Sequence, residues 1–243
     1  MLNVVIPAAG FGNRFKEAGY NLPKPIIDVA GKPMIERVVK SLGFGERAQY
    51  IYLFQKSHLE QYDIYSLLNK ITPRCIIIPL EGVTDGAART VLLAKQYIDN
   101  ENPLVIANSD QIVKFNYCDF FTKLTYDDGV SLVFMPQPNS PKWSYVNMGG
   151  NYNRIYKVTE KEIISDWANC GVYGFQEGHS FIIGAESMIE KNIRTNDEFY
   201  IAPVYNELIN KGHYIVGQEA QKMLPCGTPY DLEETIRIIQ SEG

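Results

Sequence analysis

The chain has 243 residues, which at roughly 150 residues per domain leaves room for one large domain or two small ones. Apolar and aromatic residues make up 45% of it, which excludes wholesale disorder. With 23 basic and 28 acidic side chains the net charge is −5, so the surface suits neither non-specific nucleic-acid binding nor an anionic membrane. In chain order, nearly all-apolar runs at 2–7, 50–54, 75–79 and 103–107 predict strands buried on both faces. Helical spacing falls between them at 34–42, 59–69 and 87–97, where Val91, Leu92, Ala94 and Ile98 form a mostly apolar stripe. The second half predicts strands at 130–135, 153–158, 171–175 and 214–216, with helices at 181–191, 199–210 and 229–240. This alternation implies an α/β fold: an open, mainly parallel sheet with helices on both faces, in a single domain over 1–243. Residues 1–115 would be a nucleotide-binding half and 116–243 an acceptor-binding half, with ligands beyond the carboxyl ends of the strands.

No apolar run approaches the ~18 residues of a membrane span, and the opening run is too short for a secretory signal. Cys75, Cys118, Cys170 and Cys226 form no C-x-x-C pair and read as buried thiols of a reducing compartment, so the expected location is the cytoplasm. His58, His179 and His213 lack metal-ligand spacing. Whether the chain forms a homo-oligomer stays open.

The most informative segment is Pro7-Ala8-Ala9-Gly10-Phe11-Gly12-Asn13-Arg14-Phe15, directly after the first strand. Small residues and two glycines let backbone N–H groups approach an oxyanion. Phe15 excludes the dinucleotide fingerprint, and no G-K-[ST] P-loop follows. Arg14 offers a planar fork to phosphate oxygens. Lys24, between Pro23 and Pro25, offers a point charge on a stiff, extended tether. Two cations and inward-facing amides suit a triphosphate; the plain alternative is a glycine turn with two solvated charges.

With Pro23-Lys24-Pro25, this loop resembles the signature of the nucleotidyltransferases that make nucleotide-activated sugars. That family includes sugar-1-phosphate nucleotidylyltransferases and phosphocholine cytidylyltransferases. Its usual form is G-G-x-G-T-R-L followed by P-K; here Ala9, Asn13 and Phe15 replace Gly, Thr and Leu. The resemblance implies a GT-A-like, Rossmann-like fold and a loop whose Ala8, Ala9, Gly10, Gly12 and Asn13 bind the triphosphate. Arg14 and Lys24 would stabilise charge as pyrophosphate leaves.

Later segments resemble the same family in order. Thr84-Asp85-Gly86-Ala87 matches the part that packs on base and ribose, although Thr84 also reads as a helix N-cap. Asn108-Ser109-Asp110 ends the fourth strand, and the resemblance makes Asp110 the carboxylate that holds Mg²⁺; a turn aspartate is the alternative. Glu160-Lys161 and Asn169-Cys170-Gly171 match the acceptor pocket, Glu160 meeting acceptor hydroxyls and Lys161 the acceptor phosphate. Adjacent strand residues face opposite ways, so both line one site only at a strand edge or bulge, and an exposed edge pair is the alternative. The variant Asn108-Ser109-Asp110-Gln111, with Trp143-Ser144-Tyr145-Val146 and Glu198-Phe199-Tyr200, resembles a subgroup encoded with bacterial capsule genes and labelled glycosyltransferase-like. Ser144 and Tyr145 join the expected acceptor residues, and Tyr173 and Tyr200 are further candidates.

The pattern departs at Leu224-Pro225-Cys226-Gly227-Thr228, where Pro225 stands in place of the family's metal-binding Asp; Asp231 and Asp197 are the alternative acids. The expected reaction is transfer of NMP from an NTP to a phosphorylated small-molecule acceptor, a sugar 1-phosphate, releasing pyrophosphate with Mg²⁺ for surface-polysaccharide synthesis. A cytidylyltransferase acting with CTP on a non-sugar phosphate is a close rival. A GT-A glycosyltransferase would want D-x-D, of which Asn108-Ser109-Asp110 is half, and Pro225 also leaves a sensing module without turnover.

Overall fold

Side chains of the first strand, β1 (Leu2–Ala8), alternate between two cores: Val5 joins one, while Leu2, Val4, Ile6 and Ala8 join the other. That period of two is what a strand buried on both faces requires. The structure is a computed structural model and describes residues 1–150 and 152–242. After β1 come α1 (Asn13–Glu17), α2 (Met34–Leu42), β2 (Ala48–Gln55), α3 (Lys56–Gln61), α4 (Ile64–Ile71), β3 (Ile76–Leu80), α5 (Ala87–Leu92), α6 (Lys95–Ile98), β4 (Leu104–Ala107) and β5 (Gln111–Lys114). The second half supplies α7 (Tyr117–Tyr126), β6 (Gly129–Phe134), β7 (Ser144–Gly149), β8 (Arg154–Glu160), β9 (Ala168–Phe175), α8 (Gly178–Glu190), α9 (Val204–Ile209), β10 (Ile215–Glu219), β11 (Lys222–Pro225) and α10 (Pro229–Glu242).

Among the described residues, nine strands form one mixed sheet in the order β3-β2-β1-β4-β9-β6-β10-β8-β7. The block β3-β2-β1-β4 is parallel, and β9 runs antiparallel to both β4 and β6. Strand β9 therefore joins the two halves, with Phe175 opposite Leu104 on one side and Gly129 on the other. A second junction is the two-stranded sheet β5-β11, where Pro225 pairs with Gln111. Its consequence is local: Cys226 N–H donates to the Asp110 carbonyl at 2.7 Å, which ties the end of β11 to the loop after β4.

Helices cover both faces, as the pattern predicts. Val91 and Ile98 with α8 and α9 pack on one face; Ile35, Val39 and Leu42 of α2, Leu68 of α4 and Phe120 of α7 pack on the other. Gly43, at φ 72, ends α2 in the left-handed region that glycine adopts without cost. A third, small core of Phe15, Ile27, Val29, Met34, Cys226 and Leu232 lies beneath the first loop.

Several predicted elements change. The helix expected over 59–69 breaks at Tyr62, whose backbone is extended. The helix over 87–97 splits because Leu93 and Ala94 N–H bond to Thr90 and Val91, three residues back; this tighter turn still buries Ala94 and Ile98. Only Val204–Ile209 of 199–210 is helical, since the Phe199 backbone bonds to Asp85 and Ala88 instead. Strands β5, β7 and β11 and helices α1 and α7 were not predicted; they are short or half-polar and give no clear period. Cys170 and Cys226 are buried, but Cys118 is exposed and Cys75 half-buried, so the thiols are not uniformly core residues. Among the described residues, no helix is long and apolar enough to cross a membrane.

Candidate active site

The first loop leaves β1 at its carboxyl end and is shaped by Gly12, which sits at φ +64. A Cβ there would stand 3.3 Å from the Cβ of Lys24, so the loop packs on that lysine's stem. Gln55 Nε2 donates to the Ala9 carbonyl at 2.6 Å, and buried Phe15 anchors the far end in the small core. Asn13 and Arg14 remain exposed above that anchor. Lys24 opens a single 3₁₀ turn, Lys24–Ile26, closed by bonds from Ile26 and Ile27 N–H to the carbonyls of Pro23 and Lys24. The extended tether expected there is therefore confined to Pro23. Lys24 Nζ lies 2.5 Å from Asp110 Oδ2 and 3.2 Å from the Gly227 carbonyl. The two side chains are only 16% and 23% exposed, so solvent screens this pair less than a surface pair.

Three clefts meet around these residues. One of about 390 Å³ is lined by Gly10, Gly12, Asn13, Arg14, Lys24, Ala87, Asn108, Asp110 and Gly227, with Ala8 at its base. A second, of about 350 Å³, continues past Ala9, Gly10 and Phe11 to Thr84, Gly86, Ala87 and Glu198. The third, of about 300 Å³, shares Arg14, Lys24, Ala87, Asn108, Asp110 and Gly227 with the first, then runs to Lys142, Trp143, Ser144, Glu160, Asn169, Gly171, Tyr173, Tyr200 and Asp231. These six shared residues are thus the partition between the two spaces.

Thr84 does not cap a helix. Its hydroxyl donates to the Gly86 carbonyl at 2.9 Å and meets Thr90 Oγ1 at 2.7 Å, while Gly86 itself precedes α5. Gly86, at φ +125, does permit a close backbone approach, but the approach seen is to Phe199: a Cβ would stand 2.4 Å from the Phe199 N and O. The Asp85 carboxylate holds Arg89 at 2.8 Å and Arg194 at 3.0 Å, and both guanidinium groups lie over the Phe199 ring. The segment around Phe199 therefore ties the second cleft to the third.

In the third cleft, Asn108 N–H donates to the Gly171 carbonyl at 2.8 Å, and Asn108 Nδ2 donates to Gln111 Oε1 at 3.0 Å. Gly171, at φ +73, makes room for both: a Cβ would fall 1.6 Å from Gln111 Oε1 and 2.6 Å from Asn108 Nδ2. Buried Asn169 accepts from the Ser131 hydroxyl and donates to the Ser144 carbonyl at 3.3 Å. Glu160, at the end of β8, accepts from the Ser144 hydroxyl. Burial pushes the Glu160 carboxyl up to about 7, outweighing the opposing effects of Ser144 and Lys161. Half-buried at the end of a strand, such a group meets a ligand hydroxyl as acceptor or, once protonated, as donor.

Two expected acceptor residues are not placed on the cleft. Tyr145 is fully buried, its hydroxyl accepting from Ser140 N–H at 2.9 Å and donating to the Ser140 carbonyl at 3.0 Å; it braces a loop. Lys161, at φ +60, is not among the residues lining the cleft, and its Nζ donates at 2.5 Å to the hydroxyl of Tyr200, which is. Lys161 lies just beyond the end of β8 with a left-handed backbone, so strand alternation does not set its direction, and its charge still acts on Glu160. Gln111 and Lys142 escaped the sequence reading as site residues. Gln111 enters the sequence reading only as the end of the Asn108–Gln111 variant, with no role of its own, and the only signal for Lys142 is its place before Trp143.

Pro225 is a β11 residue whose carbonyl accepts from Thr235, so it supplies no carboxylate. Among the described residues no group of three His, Cys, Asp or Glu side chains could hold a metal. Asp197, at φ +62, is exposed and outside the clefts, whereas Asp231 lines the third. The spot beside Asp110 nonetheless draws a cation to oxygen donors: the Lys24 ammonium bridges a carboxylate and a carbonyl there. That donor chemistry fits a hard ion that takes one carboxylate and completes its shell with phosphate and water.

Residues 3–235 match the family model described as nucleotidyl transferase. The bifunctional protein GlmU of Methanocaldococcus jannaschii is 28% identical over 184 residues, covering 68% of this chain and 43% of that protein. The mannose-1-phosphate guanylyltransferase catalytic subunit beta of Dictyostelium discoideum is 27% identical over 183 residues, covering 72% and 49%. The chain thus spans less than half the length of these relatives. The crystal structure of a nucleoside-diphosphate-sugar pyrophosphorylase from Vibrio cholerae RC9 superposes with a TM-score of 0.84 at 25% identity, over 96% of this chain and 99% of that one. With a family match running through β1, the Lys24–Asp110 pair and both junctions of the sheet, the chain belongs to the nucleotidyl transferase family.

Proposed function

We propose that the protein transfers a nucleoside monophosphate from an NTP to a phosphorylated acceptor, a sugar 1-phosphate, and releases pyrophosphate. The observation that carries this reading is the pair of connected clefts sharing Arg14, Lys24 and Asp110. In this reading the Ala8–Arg14 loop cradles the triphosphate, and Thr84, Gly86 and Ala87 take the base and ribose. Ser144, Glu160, Asn169 and Gly171 take the acceptor. The α-phosphorus then lies at the partition, where both clefts meet the Arg14 and Lys24 cations.

An acceptor phosphate is already an anionic nucleophile near neutral pH, so no general base is required. Its oxygen attacks the α-phosphorus, and the bond to the bridging oxygen of the leaving pyrophosphate breaks. Lys24 and Arg14 neutralise charge that grows on the phosphoryl oxygens, and the clefts hold the two reactants in line. Mg²⁺ held by Asp110 supplies further positive charge at those oxygens when bound. One relative named above is a mannose-1-phosphate guanylyltransferase and the similar structure is that of a nucleoside-diphosphate-sugar pyrophosphorylase, which favours a sugar 1-phosphate here. A role in capsule or surface polysaccharide rests on the resemblance of the segments around Asn108, Trp143 and Glu198, and a cytoplasmic location on the spacing of the four cysteines.

The test is a screen of the four NTPs with Mg²⁺ against sugar 1-phosphates and small non-sugar phosphates, scored for pyrophosphate. Pyrophosphate formed in step with a nucleotide-linked product supports the reading, and CTP with a non-sugar phosphate as the sole active pair shifts the substrate class. Nucleoside diphosphate released from a nucleotide sugar would replace it with glycosyl transfer, and NTP binding without any product would replace it with sensing.

A further inference from the structure

Lys161, which the sequence offers for the acceptor phosphate, is not itself a lining residue of the acceptor cleft: its ammonium sits 2.5 Å from the hydroxyl of Tyr200, which does line it, and 4.8 Å from that ring's centroid. The cations lining the acceptor cleft are Arg14, Lys24 and Lys142. Arg14 and Lys24 also line the nucleotide cleft, whereas Lys142 lines only the acceptor cleft. Its ammonium is 2.9 Å from Asp231 Oδ1 and 4.6 Å from the centroid of the Trp143 ring. Asp231 is itself fixed, its side chain 10% exposed and its other oxygen accepting from the Thr228 hydroxyl at 2.8 Å.

The position of this pair is informative. A Cβ built on Gly227 would lie 3.7 Å from Asp231 Oδ2 and 3.8 Å from Asp110 Oδ2. The carboxylates of the Lys24–Asp110 and Lys142–Asp231 pairs therefore both lie close to Gly227, a residue shared by the two clefts. A nucleophilic phosphate has to stand at the partition between the clefts to reach an α-phosphorus held by Lys24. An ammonium has three N–H donors, and one carboxylate contact leaves others for phosphate oxygens. The Trp143 face and the Asp231 carboxylate hold the otherwise flexible lysine in place.

We infer that Lys142, positioned by Asp231 and Trp143, binds the acceptor's phosphate monoester in place of Lys161. The inference rests on the nucleotidyl-transfer reading and names the recognition element of its acceptor site.

Protein labelled with ¹³C at lysine Cε, with resonances assigned through single Lys→Arg variants, is titrated with inorganic phosphate and separately with glucose 1-phosphate. The Lys142 signal is expected to shift and saturate with both ligands, while the Lys161 signal stays in place. Lys142→Met should weaken glucose 1-phosphate binding, followed on the ligand's ³¹P signal, at least tenfold, and Lys142→Arg should stay within about threefold of wild type. A stationary Lys142 signal overturns the assignment, whether or not Lys161 moves. If both signals move, a Lys142→Met affinity within twofold of wild type overturns it as well. Failure of the underlying reading is seen separately, as a wild-type protein that releases no pyrophosphate with any acceptor.

Discussion

Lys24 and Asp110 are 86 residues apart in sequence and meet at 2.5 Å between the clefts. Removing either charge leaves the folded cores untouched, because neither side chain belongs to them. Lys24→Ala and Asp110→Asn should therefore lower the rate of pyrophosphate release by about 10²–10³-fold while far-ultraviolet circular dichroism stays unchanged. Gly171 behaves differently. A side chain at φ +73 would collide with Gln111 and Asn108, so Gly171→Ala should cost about 1–3 kcal/mol in urea unfolding as well as activity. Glu160 contributes a pH dependence of definite sign. Its folded carboxyl holds a proton up to about pH 7, above the ordinary value of 4.5, so between these limits the folded state binds more protons than the unfolded one. Stability at this site thus falls as pH rises through that window and then levels off. Glu160→Gln should have a higher thermal midpoint than wild type at pH 8, and the difference should vanish below about pH 4.5.

At the level of elements, the first loop depends on the far end of the chain. Leu232 in α10 and Cys226 beyond β11 pack beneath Phe15 of α1, and the backbone of Cys226 holds that of Asp110. Leu232→Ala should cost about 2–5 kcal/mol of stability, measured by denaturant unfolding, and weaken NTP binding in the same variant. The segment around Phe199 makes a comparable tie between Gly86 and Tyr200, fastened by Asp85, Arg89 and Arg194. Elements of this kind were the least legible in the sequence. A stretch such as 199–203 has helical spacing, yet the backbone of Phe199 bonds to Asp85 and Ala88, more than a hundred residues away, and no local period records that. The same holds for β11, whose proline argues against a strand until β5 is seen beside it.

Over the whole molecule, the parallel block of the first half was readable because each of its strands is apolar on both sides. The insertion of antiparallel β9 between β4 and β6 was not, since register and order are set by packing between distant segments. Much the same division applies to the site. Arg14, Lys24 and Asp110 announce themselves through glycine, proline and strand-end context. Tyr145 and Lys161 sit in equally suggestive motifs, but Tyr145 braces Ser140 and Lys161 reaches the cleft wall only through the Tyr200 hydroxyl. Lys142 carries no motif and reaches the cleft through the placement of α10.

A nucleotide cradle built on the first loop and Lys24 is tested most directly by calorimetric titration of each NTP, with Mg²⁺, into wild-type protein and into Lys24→Ala. Saturable binding of at least one NTP by wild type, weakened tenfold or more in the variant, is the expected result. Equal affinity in the two proteins, or no binding of any NTP to wild type, would contradict it.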